Sequence, residues 1–246
     1  MSSTATWPKF IPPLTPEQQR ISDDFMRHWH EVLPVKYSLV DDFNHGYVVE
    51  HAPRNFLRTL EIGAGIGGHI PYEKLSPEQE RHYHALELRE NMAAQIRARF
   101  PNVQACVGDC QDRLEFVTGD FDRIIAIHVL EHLPNLPAAV REMRRLCDPD
   151  HGVVSVVIPC EGGLAYSLAR KVSAQRIFEN RYGQPYRWFI EREHINRPQE
   201  ILDELGACFD VTHCSFFPLG IHSIALNICI GLTLKPKRLN EIRIAA

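Results

Sequence analysis

Apolar residues along this chain fall into short continuous runs separated by stretches of helical spacing, and the alternation is most regular between residues 56 and 159. Runs at 56–62, 83–88, 103–107, 123–127 and 153–158 have strand length and predict strands. Between the second and third runs, Leu88, Met92, Ile96 and Phe100 recur every fourth residue and predict a helix. Leu136, Val140, Met143 and Cys147, behind Asn135 as a cap, predict another, which ends in the turn Asp148-Pro149-Asp150-His151-Gly152. Strands that alternate with helices in this way predict an α/β fold built on a doubly wound, mostly parallel, Rossmann-like sheet. The unbroken run at 153–158 suits a strand covered on both faces.

The flanks read differently. Thr15-Pro16-Glu17-Gln18 is a capping box with proline at the first helical position, and Ile21, Phe25, Trp29 and Leu33 follow on one face. They predict an N-terminal helix to about residue 33, preceded by an arm bearing Pro8, Pro12 and Pro13. Residues 37–47, with Asn44-His45-Gly46, are polar and aromatic and read as irregular chain, either a cover over the site or an ordinary connection. After Pro159, Arg170, Lys171, Arg176, Arg181, Arg187, Arg192 and Arg197 interleave with Phe178, Tyr182, Tyr186, Trp188 and Phe189. This helical insertion leaves the carboxyl end of a strand, the edge where open α/β sheets bind ligands. Its charges and rings read as a substrate cap for a carboxylate, phosphate or sugar, or else as solvated helix faces. A helix over 198–205, closed by Gly206, and two runs at 209–217 and 223–234 then predict a closing antiparallel hairpin, for seven strands in all, before a basic tail. The expected division is 1–55 for arm, helix and covering loop, 56–159 for a nucleotide-binding core, 160–197 for the cap, and 198–246 for the end of the sheet and the tail.

Composition narrows the function classes. A chain of 246 residues with 44% hydrophobic content can bury one large core. A net charge of -4 and a pI near 6.3 exclude a nucleic-acid binder that relies on counterion release. Met1-Ser2-Ser3-Thr4-Ala5-Thr6 lacks a signal-peptide pattern, and no apolar run reaches the ~20 residues that span a bilayer, so the expectation is a cytoplasmic protein without a membrane span. Seven scattered cysteines without Cys-x-x-Cys exclude a disulfide framework and a thiolate zinc site. Oligomeric state leaves no mark on the sequence.

The chemistry concentrates in Leu60-Glu61-Ile62-Gly63-Ala64-Gly65-Ile66-Gly67-Gly68, where a buried strand must turn sharply while its backbone approaches a ligand. Gly63-x-Gly65-x-x-Gly68 also satisfies the dinucleotide fingerprint, so the glycines alone leave a nicotinamide cofactor and S-adenosylmethionine open. Glu87 ends the next strand, where a carboxylate can accept from both ribose hydroxyls. Asp109, in Val107-Gly108-Asp109-Cys110, can take the exocyclic amine of adenine. The fourth strand runs into His128-Val129-Leu130-Glu131-His132-Leu133-Pro134.

These residues resemble the class I S-adenosylmethionine-dependent methyltransferases, in particular the small-molecule group with a Leu-Glu-His element after the fourth strand. The resemblance covers roughly residues 56–234 and rests on four ordered motifs: Glu61-x-Gly63-x-Gly65-x-Gly67, Ala85-Leu86-Glu87-Leu88 with Asn91-Met92, Gly108-Asp109-Cys110, and Phe121-Asp122-Arg123-Ile124-Ile125 leading to Val129-Leu130-Glu131-His132. It implies that Glu61 and the backbone of Gly63, Gly65 and Gly67 face the methionine moiety, that Glu87 holds the ribose, and that Asp109 with Cys110 frames the adenine. Leu88 and His128 belong to the same expected cofactor set. Residues 37–47 with Gly68-His69-Ile70-Pro71-Tyr72-Glu73 are more loosely similar to methyltransferases associated with glycan or lipopolysaccharide modification. One departure is Pro71 followed by Ser76-Pro77-Glu78-Gln79-Glu80, which requires the helix after the glycine turn to be short or broken. The arginine-rich insertion follows no common pattern.

The expected reaction is transfer of a methyl group, by in-line displacement, to an oxygen or nitrogen of a small anionic or sugar-like acceptor. Positioning supplies most of such catalysis and a nearby base less. His128, at the carboxyl end of the fourth strand, is the first candidate base and His194, in Glu191-Arg192-Glu193-His194, the second, each with an alternative as a hydrogen-bonded structural histidine. His132 reads as a cap or packing residue. His128-Val129-Leu130-Glu131-His132 also spells the inverted zincin pattern, but zinc there needs both histidines on one face of a continuous helix, so no metal is expected. His28 with His30, and His82 with His84, are no better spaced. The remaining rivals are a nicotinamide-dependent oxidoreductase and a non-catalytic S-adenosylmethionine-binding protein.

Overall fold

The computed structural model describes residues 6–36 and 38–238. Two helices, α1 (Pro16–Lys36) and α2 (Ser38–Glu50), precede β1 (Thr59–Ile62). The core continues through α3 (Pro77–Arg81), β2 (Tyr83–Glu87), α4 (Glu90–Arg99), β3 (Gln104–Val107), β4 (Arg123–Ile127), α5 (Leu136–Leu146) and β5 (Val153–Pro159). The insertion forms α6 (Leu164–Val172), α7 (Ala174–Tyr182) and α8 (Arg187–Glu193), and the chain closes through α9 (Pro198–Cys208), β6 (Phe209–Phe217) and β7 (Cys229–Pro236). The sheet has seven strands in the order β3-β2-β1-β4-β5-β7-β6. β1 to β5 are parallel, and β7 runs antiparallel to both β5 and β6. The doubly wound seven-stranded sheet, the closing hairpin, the N-terminal helix and the helical insertion are thus as expected.

The topology places the site. The chain builds β2 and β3 on one side of β1 and then crosses back to lay β4 on its other side, so a crevice opens between the carboxyl ends of β1 and β4. Ile62 is level with Leu86 on one side and Ala126 on the other, which brings the glycine turn, Glu87 and the loop after β4 to one height. One face of the sheet packs Leu60, Ile62, Ile124, Ala126, Val154 and Val156 against Leu136, Val140 and Met143 of α5 and Ile201 and Leu205 of α9. The other face sets Ile125 and Val157 against Tyr47 and Val48. With both faces covered, the central strands read as continuous apolar runs.

Thr15 caps α1 as expected, its hydroxyl accepting from the Gln18 N–H at 3.2 Å while the Gln18 side chain accepts from the Thr15 N–H at 3.1 Å. Trp29 and Leu33, also part of that reading, have side chains outside the described residues; Tyr37, the start of the segment read as irregular, and the basic tail beyond residue 238 lie outside them altogether.

Several expectations are corrected. Residues 38–47 are not irregular but belong to α2, whose buried face is Asp41, Asn44, Tyr47 and Val48. The helical period is present, but mostly in polar residues, of which Asp41 and Tyr47 are held by hydrogen bonds. Asp41 accepts from the Tyr72 hydroxyl at 2.7 Å, and the Tyr47 hydroxyl lies 3.0 Å from Thr233 Oγ1. Leu88 is 63% exposed and precedes α4, so the buried face of that helix begins at Met92. Gly206 does not end α9, which continues to the buried Cys208. The last strand begins at Cys229, after a 3-10 turn at Ile224–Leu226. The break after the glycine turn is as expected: a 3-10 turn at Ile70–Tyr72, then the short α3.

The rings of the insertion also take a different part from the one expected. Phe178, Tyr186 and Phe189 are buried, and all three meet Phe25 of α1 edge-on at centroid distances of 5.0 to 6.0 Å. Phe178 and Phe189 glue the cap to the N-terminal helix rather than present faces to a ligand, while Tyr186 both joins that contact and lines a cavity under the cap. Arg181 reinforces the contact through Asp24 at 3.0 Å.

Candidate active site

Each glycine of the turn answers a different need. All three have positive φ, 67° at Gly63, 57° at Gly65 and 78° at Gly67. A Cβ on Gly63 would stand 2.5 Å from Val129 Cγ2, and one on Gly67 would stand 2.9 Å from Phe100 Cε2, so these two glycines permit packing. A Cβ on Gly65 would meet nothing within 4 Å. Gly65 therefore offers open backbone at the crevice, the cradle that a nucleotide-type ligand requires.

Glu87 is bound to that cradle. The Gly65 N–H donates to Glu87 Oε2 at 3.0 Å and the Arg89 N–H to Glu87 Oε1 at 3.1 Å, and the residue is 5% exposed. Leu88 beside it presents its side chain to solvent. Asp109 accepts from the main chain and side chain of Gln111 at 2.9 and 3.0 Å, and the Gln111 carbonyl oxygen accepts from the Asn135 N–H at 2.6 Å. Gln111 thus fixes Asp109 to the start of α5, a role the sequence did not signal. The Cys110 side chain belongs to the core around Leu86, and burial pushes its thiol up to about 12, so it contributes main chain to the crevice and an inert sulfur to the interior.

The Glu61 carboxylate is buried under the turn, where it accepts from the Tyr83 hydroxyl at 2.8 Å. Burial raises the Glu61 carboxyl to about 8, against the opposing Tyr83 hydrogen bond. Nearby, the fully buried Arg123 pairs with Glu73 at 2.8 Å and donates to the Val48 carbonyl at 2.9 Å. This polar layer joins β1, β4, α2 and the segment after the glycine turn.

The loop after β4 forms the opposite wall. His128 is left-handed, with φ 52°, and its N–H donates to the Val157 carbonyl at 2.9 Å. Its Nδ1 lies 3.2 Å from Glu131 Oε1 and its Nε2 4.0 Å from Cys229 Sγ. Glu131 has no exposure; burial would raise its carboxyl, but the hydrogen bond to His128 and the charges of His132 and His128 outweigh it and hold Glu131 below the usual carboxylate range. His132 Nδ1 faces the Glu193 carbonyl at 2.6 Å, and His194 Nδ1 faces Glu161 Oε2 at 3.0 Å. The two rings are 5.2 Å apart. The buried Asn196 ties the group together, donating to the carbonyls of Leu130 and Leu133 at 2.7 and 2.8 Å while its N–H donates to the Glu131 carbonyl at 3.0 Å.

Beyond His194 lies a cavity of about 820 Å³ under the cap. Its wall carries charges of both signs, Lys9, Arg170, Arg187 and Arg197 with Glu161, Glu179 and Glu191, and Arg170 and Arg187 pair with Glu161 and Glu191; His194 lines it as well. Of the expected residues, the fold gathers Gly63, Gly65, Gly67, Glu87 and Leu88 around the crevice, sets Asp109 and Cys110 on the loop that follows β3, and draws His128 and His194 toward Glu131 from two distant segments.

Residues 60–154 match a family described as the methyltransferase domain. Over these residues the chain is similar to methyltransferase domains, and its sheet has the fold of solved S-adenosylmethionine-dependent methyltransferases. The open Gly65 backbone beside the Glu87 carboxylate fits a ligand such as S-adenosylmethionine. An ajmaline N-methyltransferase from Rauvolfia serpentina is 32% identical to this chain over 108 residues, which is 39% of the chain and 33% of that protein. The match therefore spans about a third of the length of the curated relative. A TehB-like S-adenosylmethionine-dependent methyltransferase from Corynebacterium glutamicum superimposes with a TM-score of 0.57 at 16% identity, over 89% of this chain and all of that one. The trans-methyltransferase CalH, solved with S-adenosylhomocysteine, gives 0.55 at 19% identity, over 87% of this chain and 64% of that one. Both structural likenesses are likenesses of fold. Among the described residues, no helix is long and apolar enough to cross a membrane.

Proposed function

We propose that this chain transfers the methyl group of S-adenosylmethionine to an oxygen or nitrogen of a small anionic or sugar-like acceptor held in the cavity under the cap. The observation that carries the proposal is the position of His194, which lines the polar cavity under the cap and stands 5.2 Å from His132 on the loop after β4. Acceptor side and cofactor side meet at that residue.

When bound, the cofactor supplies an electrophilic methyl on a sulfonium. The chain's own work is alignment, the larger part of catalysis in a displacement of this kind. In this reading the Gly63–Gly67 backbone receives the methionine moiety, Glu87 takes the ribose hydroxyls, Leu88 covers the ring system, and Asp109, steadied by Gln111, takes the adenine amine. Glu61 acts from beneath the turn through Tyr83. Lys9, Arg170, Arg187 and Arg197 draw an anionic or polyhydroxyl acceptor into the cavity. His194 meets the acceptor. His128, whose ring nitrogens face Glu131 and Cys229, braces Glu131 instead.

Calorimetric titration with S-adenosylmethionine and with NAD, followed by a methyl-transfer screen over nucleotide sugars, hydroxylated sugars and small carboxylates, tests the proposal. The expected result is binding of S-adenosylmethionine alone and release of one S-adenosylhomocysteine per methylated acceptor. Binding of NAD instead would establish the oxidoreductase, and cofactor binding without turnover on any acceptor would establish a binding protein.

A further inference from the structure

We infer that Glu131, His132 and His194 form a binding site for one divalent transition-metal ion on the inner wall of the cap cavity. The three side chains each offer a ligand atom, and these atoms lie within 4.8 Å of one another. His132 Nε2 is already 3.9 Å from Glu131 Oε1. Metal–nitrogen and metal–oxygen bonds of roughly 2.0–2.2 Å place neighbouring ligand atoms about 3–3.5 Å apart, so the rings need to turn inward by about an ångström. Both rings are partly exposed, with side-chain exposures of 35% at His132 and 14% at His194, which leaves room for that turn.

The hydrogen bonds around the group select the tautomers that a metal needs. The Glu193 carbonyl can only accept, so His132 Nδ1 carries the proton and Nε2 keeps its lone pair. The Glu161 carboxylate does the same for His194. Glu161 is itself anchored by Arg170, which completes a carboxylate–imidazole arm of the kind that orients metal ligands. Glu131 supplies a second, independent sign. It is fully buried, and among the described residues its Oε2 has no hydrogen-bond partner. An unpaired oxygen on a buried carboxylate is costly, and an ion held by both oxygens of Glu131, of which Oε1 is the one 3.9 Å from His132 Nε2, removes the cost.

A plain ion-pair network explains less. It would turn His132 Nε2 onto the carboxylate within hydrogen-bonding range, whereas the distance is 3.9 Å, and it would still leave Glu131 Oε2 unpaired. The expectation of no metal weighed His128 with His132. In the folded chain His128 leaves β4 in a left-handed conformation and braces Glu131, while His194 arrives from the far end of the cap in its place. Two imidazoles and one carboxylate suit Zn²⁺, Mn²⁺, Fe²⁺ or Co²⁺ better than Ca²⁺ or Mg²⁺, and they leave coordination positions free. His194 lines the cavity, so a free position would receive an acceptor hydroxyl or carboxylate and lower the hydroxyl's pKa as a Lewis acid. That last role rests on the methyl-transfer reading; binding of the ion does not.

The test uses the full chain, freed of metal by dialysis against a chelator and titrated with Zn²⁺, Mn²⁺ and Co²⁺ in the absence of cofactor. The expected result is one equivalent bound, with a Co²⁺ visible spectrum that lacks a thiolate charge-transfer band. His132→Gln and His194→Gln are expected to abolish stoichiometric binding while the metal-free variants keep the circular dichroism of the metal-free parent. Glu161→Gln, which touches no ion, is expected to weaken binding by about 10-fold or more and keeps the proposal testable should a ligand variant misfold. No stoichiometric binding of any of the three ions would overturn the proposal, as would binding that survives both histidine substitutions or a spectrum with thiolate bands. Because the titration contains no S-adenosylmethionine, failure of the methyl-transfer reading would leave its result intact.

Discussion

The side-chain amide of Asn196 donates to the Leu130 carbonyl at 2.7 Å, joining the chain that leaves the cap to the loop that follows β4. A second bond, to Leu133, makes one buried amide the clamp of the whole wall. Asn196→Ala leaves those carbonyls unpaired and is expected to cost about 1–3 kcal/mol per orphaned group in urea unfolding. Methyl transfer should fall more steeply than cofactor affinity, since the substitution loosens the acceptor side. A variant with unchanged stability would refute the clamp.

The glycine turn separates packing from binding. Gly63→Ala forces a Cβ to within 2.5 Å of Val129, whereas Gly65→Ala has space around it and bears only the strain of its φ of 57°. Gly65→Ala is expected to remain folded, at a cost of about 1 kcal/mol, and to lose cofactor affinity by calorimetry. Gly63→Ala should lower the melting temperature, and Val129→Ala in the same chain should restore part of it.

Glu61 makes stability depend on pH. Its folded value of about 8 lies above the ordinary 4.5, so the folded chain binds the extra proton between those values. The stabilisation is complete below about pH 4.5 and is lost as pH rises through 8, with a slope of up to about 1.4 kcal/mol per pH unit. Glu61→Gln should remove this component. Denaturant unfolding of both proteins across that window measures it, and parallel curves for the two would contradict the assignment.

Phe25 tests the seam between α1 and the cap. It is 1% exposed and meets Phe178 and Phe189 at 5.0 and 5.1 Å. Phe25→Ala is expected to cost about 3–5 kcal/mol and to raise the KM for the acceptor while cofactor affinity stays near that of the parent. Equal losses on both ligands would show that the seam supports the core and not the cap.

The central strands and the glycine turn were legible because their signals are local: an apolar run long enough for a strand, then glycines at short spacing, as in Leu60 to Gly67. The α2 helix was hidden because Asp41, Asn44 and Tyr47 occupy its buried face, and only their partners on distant segments, such as Tyr72 and Thr233, explain why polar groups sit there. The cap was visible as an insertion, but Phe178 and Phe189 read as ligand-facing until Phe25 of α1 filled the space before them. Glu131 and His132 stood out in the sequence, while Glu161, His194 and Asn196 join them only through tertiary contacts that no spacing encodes.

The union of α1 with the cap also sets an order of assembly. During synthesis α1 is made before the cap, and the rings that cover Phe25 arrive only after the five parallel strands have been made. Until then Phe25 lacks the rings of Phe178, Tyr186 and Phe189 that meet it in the folded chain, and exposed apolar surface of this kind favours association. The seam therefore joins two segments with five parallel strands between them in the chain, and it closes only once the cap has returned to α1.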